Sequence, residues 1–237
     1  MMPRRGDLDS LYELLDQLET TVDGTQRLGD CTGYMDWPDR GVYFFFADAE
    51  MRASTDQPRL TRIGTHAVSA GSGTSLWNRL RTHRGTKSGT YEEGGNHRNS
   101  VFRKRVGEAM IERHNFHDEY PHWGNGSTAG RARRLNELEL ERRVSEYIRD
   151  LPLLWVRVDD EPGPESDRGY IERNTIALVS NYTKETVDSR AEGWLGNESK
   201  SEKICQSGLW NVDHVDEQYD PAFLDRLESA VEQTKPP

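Results

Sequence analysis

Two side chains able to bind a phosphate stand four residues apart in the segment "LWNRLRTH". The apolar residues Leu76 and Leu80 recur there at helical spacing, and Arg79 and His83 are therefore predicted to project from one helix face, one turn apart. A guanidinium and an imidazole placed in this way can contact the same phosphate. The spacing alone favours a second interpretation, in which both are ordinary surface side chains opposite the apolar positions. The neighbouring segments must decide between this interpretation and phosphate binding.

The glycine-led segment "GGNHRNS" holds a second polar group. Asn96, His97 and Arg98 are predicted substrate contacts, because such a loop exposes backbone and side chains together. The alternative is a structural role, in which Asn99 or Ser100 caps the following helix and the other side chains face solvent.

Three histidines in "ERHNFHDEYPHW" do not indicate a metal centre. His114, His117 and His122 are separated by three and five residues and have no cysteine nearby, which matches no zinc pattern. A polar loop is favoured. The two cysteines, Cys31 and Cys205, lie too far apart in sequence for a disulfide framework or a cysteine-rich zinc module.

These side chains need a scaffold, and the sequence predicts helices around a small sheet. "GVYFFFAD" and "LPLLWVRV" have the composition of buried strands, and "RLTRIGTH" has the β-branched residues of a neighbouring strand. Helices are predicted over residues 8–22 and in "LWNRLRTH", "SVFRKRVGEAMIER", "RARRLNELELERRVSEYI" (with a charged, solvent-facing side), "RGYIERNTIALVSNY" and "DPAFLDRLESAVEQ". The expected class is α/β or α+β, with a small mixed or antiparallel central sheet flanked by helices.

The order of these segments resembles the GIY-YIG nuclease superfamily. Its signature is a strand with Gly-Ile-Tyr, a second strand with Tyr-Ile-Gly, a helix with an arginine, and a later helix with a glutamate that an asparagine often follows. The matching positions are Gly41-Val42-Tyr43, Arg62-Ile63-Gly64, Arg79, and Glu172 within "YIERNTIAL". The resemblance covers about residues 41–182 and implies a GIY-YIG-like fold with long insertions.

The resemblance implies hydrolysis of DNA phosphodiester bonds with one divalent cation. Glu172 would bind Mg²⁺ or Mn²⁺, because hard oxygen ligands suit these ions and Mg²⁺ keeps several waters. Tyr43 would activate or position the attacking water, and Arg79 would neutralise charge in the transition state. His83, where some members have a histidine and others a tyrosine, would assist Arg79 or protonate the leaving oxygen.

Two positions depart from the family pattern. Arg62 stands where the second tyrosine is expected, so a hydroxyl that orients the water is missing. Arg62 and Thr65 are predicted to contact the substrate, and His66 to take over as base or as the group that orients the water. If His66 is the base, the rate is expected to rise through the ordinary imidazole pH range and then level. The asparagine is expected at Asn181, nine residues after Glu172, where the family shows a somewhat longer gap, and Asn197 and Asn211 are rivals, Asn211 being included with Asn181 among the predicted substrate contacts.

The net charge of −10 argues against nonspecific attraction to nucleic acid. Its distribution allows one basic face, because residues 79–105 contain only two acids, Glu92 and Glu93. The basic residues of this stretch are Arg79, Arg81, Arg84, Lys87, Arg98, Arg103, Lys104 and Arg105. A general compositional preference for arginine explains the same pattern.

No apolar run approaches the ~20 residues that span a bilayer, and "MMPRRGDLDS" lacks the apolar core of a signal peptide. The sequence therefore predicts a cytoplasmic protein with no membrane association. The oligomeric state stays open.

Together these features predict a helical extension over residues 1–39, a nuclease domain over 40–215, and a C-terminal helix and tail over 216–237. The leading hypothesis is a metal-dependent DNA endonuclease in a repair, restriction or mobile-element setting. The alternative is a catalytically weak or inactive module that binds nucleic acid or protein, which Arg62 and the acidic charge favour. A third possibility is a structural partner whose acidic surface binds basic proteins.

Overall fold

The computed structural model of the protein describes residues 3–236. Its strands are β1 (Gln26–Arg27), β2 (Gly41–Met51), β3 (Pro58–Gly64) and β4 (Pro152–Arg157). Its α-helices are α1 (Pro3–Thr21), α2 (Leu76–Arg84), α3 (Val101–His114), α4 (Arg131–Asn136), α5 (Leu138–Asp150), α6 (Asp167–Val179), α7 (Glu202–Ser207) and α8 (Phe223–Gln233). The strands form one antiparallel sheet in the order β1-β4-β2-β3, which confirms the predicted fold class.

Strand β2 is buried on both faces, which accounts for its continuous apolar run. Side chains alternate along a strand, so Val42, Phe44 and Phe46 belong to the core on one face. Tyr43 and Phe45 belong to the core on the other face. Helices α1, α6 and α8 cover the first face, and α2, α3 and α5 cover the second. The sheet is therefore the middle one of three layers.

An extra residue in β3 decides which face Arg62 occupies. Phe45 of β2 pairs with Arg62, but the next residue, Phe46, pairs with Leu60, so Thr61 is a bulge in the ladder. A shift of one residue moves a side chain to the opposite face of a sheet. The bulge therefore places Arg62 on the face of Phe45, in the layer where α2 and α3 pack.

The charged segment "RARRLNELELERRVSEYI" forms two helices rather than the single helix predicted. Glu137 separates α4 from α5, and its buried carboxylate accepts two hydrogen bonds from Arg98 at 2.6 and 2.8 Å. Glu141 and Arg149 of α5 are also buried, so the expected solvent-facing side is only partly correct. The short elements β1 and α7 contain too few residues for a periodic pattern to reveal them.

The first and last helices pack together on one face of the sheet. Helix α1 contacts α8, and both contact β4. The proposed division into residues 1–39, 40–215 and 216–237 stays a prediction, and its outermost residues lie outside the described part of the chain. No helix within residues 3–236 is long and apolar enough to cross a membrane.

A buried guanidinium joins the three helices on the second face. Arg103 of α3 donates from Nη1 to the carbonyl of His83 on α2 at 2.8 Å and from Nη2 to Ser145 on α5 at 2.9 Å. It also forms a buried ion pair with Glu141. Burial by itself would raise the pKa of Glu141, but hydrogen bonds from His97 and the charge of Arg103 outweigh that effect and lower the pKa to about 2. The carboxylate is thus held charged in the core.

Arg103→Met is expected to lower the free energy of unfolding by about 3–5 kcal/mol, because it leaves the charged Glu141 buried without its cation. Arg105→Met is the matched control on the same helix, since the Arg105–Glu108 pair is partly exposed and contributes about 1 kcal/mol or less. Urea denaturation of both variants measures the difference. Equal losses would show that the buried pair does not hold these helices together.

Candidate active site

A chain of three buried polar side chains runs from the sheet into the helical layer. The Tyr43 hydroxyl lies 2.9 Å from His83 Nε2, and His83 Nδ1 lies 2.9 Å from the hydroxyl of Ser100. Burial, together with the nearby charges of Arg79 and Arg62, holds the pKa of His83 well below its usual range. His83 is therefore a neutral imidazole that links β2 to the start of α3.

The glycines of both motifs stand where no side chain fits. Tyr43 and Gly64 are cross-strand partners, and a Cβ on Gly64 would lie 2.2 Å from the Tyr43 hydroxyl. A Cβ on Gly41 would lie 2.1 Å from the carbonyl oxygen of Val156. Because real Cβ atoms keep much larger separations, only glycine allows these approaches.

Glu172 of α6 reaches the end of β3. Its Oε1 accepts a hydrogen bond from the backbone N–H of Thr65 at 3.1 Å, and its Oε2 makes no hydrogen bond within residues 3–236. Burial raises the pKa of the Glu172 carboxyl, and the nearby Arg62 and Arg79 oppose that shift. A partly exposed carboxylate with one free oxygen thus lies beside two arginines.

His66 lies just beyond β3 and is almost fully buried. Its Nε2 is 3.1 Å from the carbonyl oxygen of Asp39, which can only accept, so Nε2 carries the proton. Burial lowers the pKa of His66 to about 4, against the opposing effect of the Asp39 hydrogen bond. The other ring nitrogen, Nδ1, is buried with no hydrogen-bond partner in the described part of the chain. The same carbonyl accepts from the N–H of Leu76, which ties His66 to the start of α2.

Two arginines in this region have no ion-pair partner among residues 3–236. Arg62 donates from Nη1 to the carbonyl of Trp210 at 3.2 Å, and its guanidinium lies 5.6 Å from the ring centre of Phe102. Arg79 is partly buried and close enough to lower the pKa of both histidines and of the glutamate. The positive charge of Arg79 therefore lies among the three titratable groups.

Seven predicted site residues therefore lie close together, around the ends of β2 and β3 that carry the two motifs. They are Tyr43, Arg62, Thr65, His66, Arg79, His83 and Glu172. Their individual roles stay predictions.

The predicted substrate contacts in residues 96–98 are engaged inside the protein instead. Asn96 caps the following turn, and Arg98 forms a two-bond ion pair with Glu137. His97 Nδ1 lies 2.9 Å from the buried carboxylate of Glu141. These contacts support a structural role for the segment, and Ser100 caps α3 as that alternative expected, but His97 and the Arg98 side chain are buried rather than facing solvent. The predicted substrate contacts stay a prediction.

The two candidate asparagines also have protein partners. Asn211 accepts from the N–H of Ile63 at 3.1 Å and donates to the carbonyl of the same residue at 2.9 Å. Asn181 accepts a hydrogen bond from Arg4 and donates to the carbonyl of Asp188 at 2.9 Å. Asn211 thus supports the strand that carries the second motif, whereas Asn181 fastens the N-terminal helix.

Two further residues support the site, and the sequence does not reveal this role for either of them. Ser100 is recognisable as a helix cap, but its contact with His83 depends on packing between α2 and α3. Arg168 is fully buried, pairs with Asp160, and donates from Nε to the carbonyl of His66 at 2.9 Å. It therefore positions the segment that follows β3.

The donor set suits a weakly held hard cation rather than an all-protein cage. No group of three or more histidine, cysteine, aspartate or glutamate side chains within residues 3–236 could hold a metal ion. Glu172 offers a single carboxylate oxygen, and Mg²⁺ commonly binds to one or two carboxylates, with water and substrate phosphate completing its shell. The residues present fit such an ion.

A comparison with protein families gives the same identification as the motifs. The GIY-YIG domain family matches residues 2–237, so the chain belongs to the GIY-YIG superfamily, whose members are typically endonucleases. No curated protein and no solved structure matches.

His66 and His83 are both expected to stay neutral between about pH 5 and pH 8, because their surroundings lower their pKa. Long-range ¹H–¹⁵N NMR spectra should show constant ring nitrogen shifts over this range. An unfolded imidazole binds a proton near about pH 6.5, so the melting temperature should fall as pH drops from about 6.5 toward 4. Titration of either ring near neutral pH would contradict the buried arrangement.

Proposed function

We propose that the protein is a metal-dependent endonuclease that hydrolyses phosphodiester bonds of DNA. The observation that carries the proposal is the hydrogen bond between Tyr43 and His83, which fixes α2 with Arg79 beside Glu172. The proposed setting is cytoplasmic, in repair, restriction or mobile-element function.

Glu172 would hold Mg²⁺ or Mn²⁺ through its free carboxylate oxygen. When bound, such an ion supplies a Lewis acid for the phosphate oxygens and lowers the pKa of a coordinated water. The N–H of Thr65 binds the other oxygen and so orients the carboxylate. Burial raises the pKa of this carboxyl, and the charges of Arg62 and Arg79 partly offset that shift in favour of the charged form, which is the form that binds a cation.

Arg79 would stabilise the negative charge that develops on the phosphate in the transition state. It has no acidic partner within residues 3–236, so its guanidinium is available for a phosphate. Its position one helical turn before His83 is held by the Tyr43 hydroxyl. Because His83 is enclosed and neutral, support of Arg79 is favoured over protonation of the leaving oxygen.

His66 is the proposed base. Its Nδ1 has a free lone pair that is buried in this conformation, so a water must enter beside the ring before Nδ1 accepts a proton, and the lowered pKa keeps the lone pair unprotonated at neutral pH. The Tyr43 hydroxyl is already hydrogen-bonded to His83, whereas Nδ1 of His66 has no partner among residues 3–236, so Tyr43 positions the helix rather than the water. The proton acceptor has in this way moved to a residue two positions beyond Gly64.

A second candidate function is a nucleic-acid binding module with little or no catalysis. The observation that favours it is the complete burial of Tyr43 and His83, which keeps both side chains from water in this conformation. The presence of Arg62 where the family has a tyrosine also favours a module with little or no catalysis. DNA binding without cleavage in either Mg²⁺ or Mn²⁺ would select this alternative.

Glu172→Gln is expected to reduce plasmid cleavage in Mg²⁺ or Mn²⁺ by at least about 10²-fold, because it removes the anionic ligand of the ion. Glutamine retains the oxygen that accepts from Thr65, so the melting temperature should be unchanged. Glu228→Gln, at an exposed position of α8, is the matched control. Wild-type activity in the Glu172 variant would remove this residue from the site.

His66→Ala is expected to lower the cleavage rate by about 10²–10⁴-fold. The neutral ring is the active form and its pKa is about 4, so the wild-type rate should rise with pH through about 4 and stay level at neutral pH. This places the inflection below the ordinary imidazole range expected from the sequence. Arg62→Tyr should give little gain.

The pH profile of the His66 variant and that of Tyr43→Phe separate the two possible bases. If His66 is the base, His66→Ala removes the inflection, while Tyr43→Phe lowers the rate without moving it. A mild His66→Ala defect with an unchanged profile would instead assign the proton transfer to Tyr43.

A further inference from the structure

The basic residues around α2 divide sharply by their ion pairs. Arg98, Arg103, Lys104 and Arg105 are all paired with glutamates, so this part of the predicted basic face is neutralised. In contrast, the five basic residues between positions 62 and 87 form no ion pair within the described chain. These unpaired residues are Arg62, Arg79, Arg81, Arg84 and Lys87. The net positive charge is therefore concentrated on α2 and the loop that follows it.

A cleft of about 540 Å³ lies on the side of α2 that bears Arg81 and Arg84. It is formed by the end of α2, the loop after it, the turn before α3, and one side chain of α4. The lining residues are Arg81, Thr82, Arg84, Gly85, Thr86, Lys87, Ser88, Gly95, Asn96, Asn99 and Arg134. Four of them are cationic and none is acidic.

Two of the four cations are fixed and two are free. Arg84 donates to the carbonyl of Cys31 and stacks 4.8 Å from the ring centre of Trp77, and Arg134 lies 3.7 Å over the ring of Tyr91. The other two cations, Arg81 and Lys87, are exposed, and their side chains make no hydrogen bond or ion pair with residues 3–236. The cleft thus combines two cations held by the protein with two whose hydrogen-bond donors are unoccupied in the described part of the chain.

Composition does not explain this charge pattern. The chain has ten more acidic than basic residues, so carboxylates are plentiful as partners. The larger cleft at the other end of β2, about 1150 Å³, is lined by both signs, including Glu50, Asp150 and Arg149. Four cations and no carboxylate among the lining residues give this cleft a positive potential that attracts anions.

We infer that this cleft binds the sugar-phosphate backbone of a nucleic acid at a point flanking the phosphate that is cut. The inference rests on the proposed nuclease function. Arginine, lysine, hydroxyl and amide donors are the groups that contact phosphate and sugar. The cleft adjoins the site, because Ser100 binds His83 and directly follows the cleft residue Asn99. Because Arg79 and Arg81 project from opposite sides of α2, a strand that is bound in the cleft and cut at the site would cross this helix.

The test compares two double variants that remove the same charge. Arg81→Gln with Lys87→Gln changes the cleft, and neither side chain has a contact whose loss would unfold the protein. Arg5→Gln with Lys235→Gln is the matched control, because both residues are exposed, lack ion pairs in the described chain, and belong to segments outside the α2 layer. Fluorescence anisotropy with a labelled DNA duplex in metal-free buffer measures binding without cleavage.

Each phosphate contact contributes about 0.9 to the slope of log K against log salt, so the cleft variant should show a slope shallower by about 2. Its affinity deficit relative to wild type should shrink roughly tenfold between about 50 mM and 200 mM salt. The control variant should follow wild type. An unchanged slope in the cleft variant, or no DNA binding by wild type at about 50 mM salt, would overturn the inference.

A plasmid cleavage assay on the same proteins separates this inference from the proposed function. Cleavage by wild type together with an unchanged salt slope in the cleft variant overturns the cleft and leaves the nuclease standing. No cleavage by wild type together with the shallower slope supports the cleft as a nucleic-acid binding surface and overturns the nuclease.

Discussion

The motif-bearing end of the sheet depends on the close approach of the Tyr43 hydroxyl to the backbone of Gly64. Any side chain at position 64 would occupy the space of that hydroxyl. With the space free, Tyr43 reaches across the layer to His83, and this hydrogen bond orients α2 on the sheet. Helix α2 then presents Arg79, while the residue after Gly64 binds Glu172. One missing Cβ thus allows four elements to place their polar groups together.

The periodic elements could be predicted from the sequence, because β2 and α2 carry apolar patterns that match their surroundings. The order of the motifs also predicted that Tyr43 and His83 belong to the same site, and their side chains form a hydrogen bond. The burial of residues 96–98 could not be predicted, because Arg98 pairs with Glu137, which lies 39 residues later in the sequence. A local pattern does not tell whether a polar side chain meets solvent or a buried carboxylate.

Arginines in this acidic chain serve two different purposes, and their ion pairs distinguish them. Arg59, Arg103 and Arg168 are fully buried, and each is paired with a carboxylate. Burying a guanidinium is tolerable only when such partners and further hydrogen bonds compensate for its lost hydration. Arg79 and Arg81 have no acidic partner within residues 3–236 and stay partly or fully in contact with water. Charge totals therefore say little about function, whereas the distribution of unpaired charge says much.

The hydrogen bonds of Asn211 have a consequence for the outer edge of the sheet. Within residues 3–236, strand β3 has no neighbouring strand on that side. The Asn211 amide occupies both polar backbone groups of Ile63, and the N–H of Trp210 donates to the carbonyl of Thr61 at 2.7 Å. A short piece of irregular chain thus imitates a fifth strand. Exposed strand edges recruit strands from other molecules, so this cover protects the edge from domain swapping and aggregation.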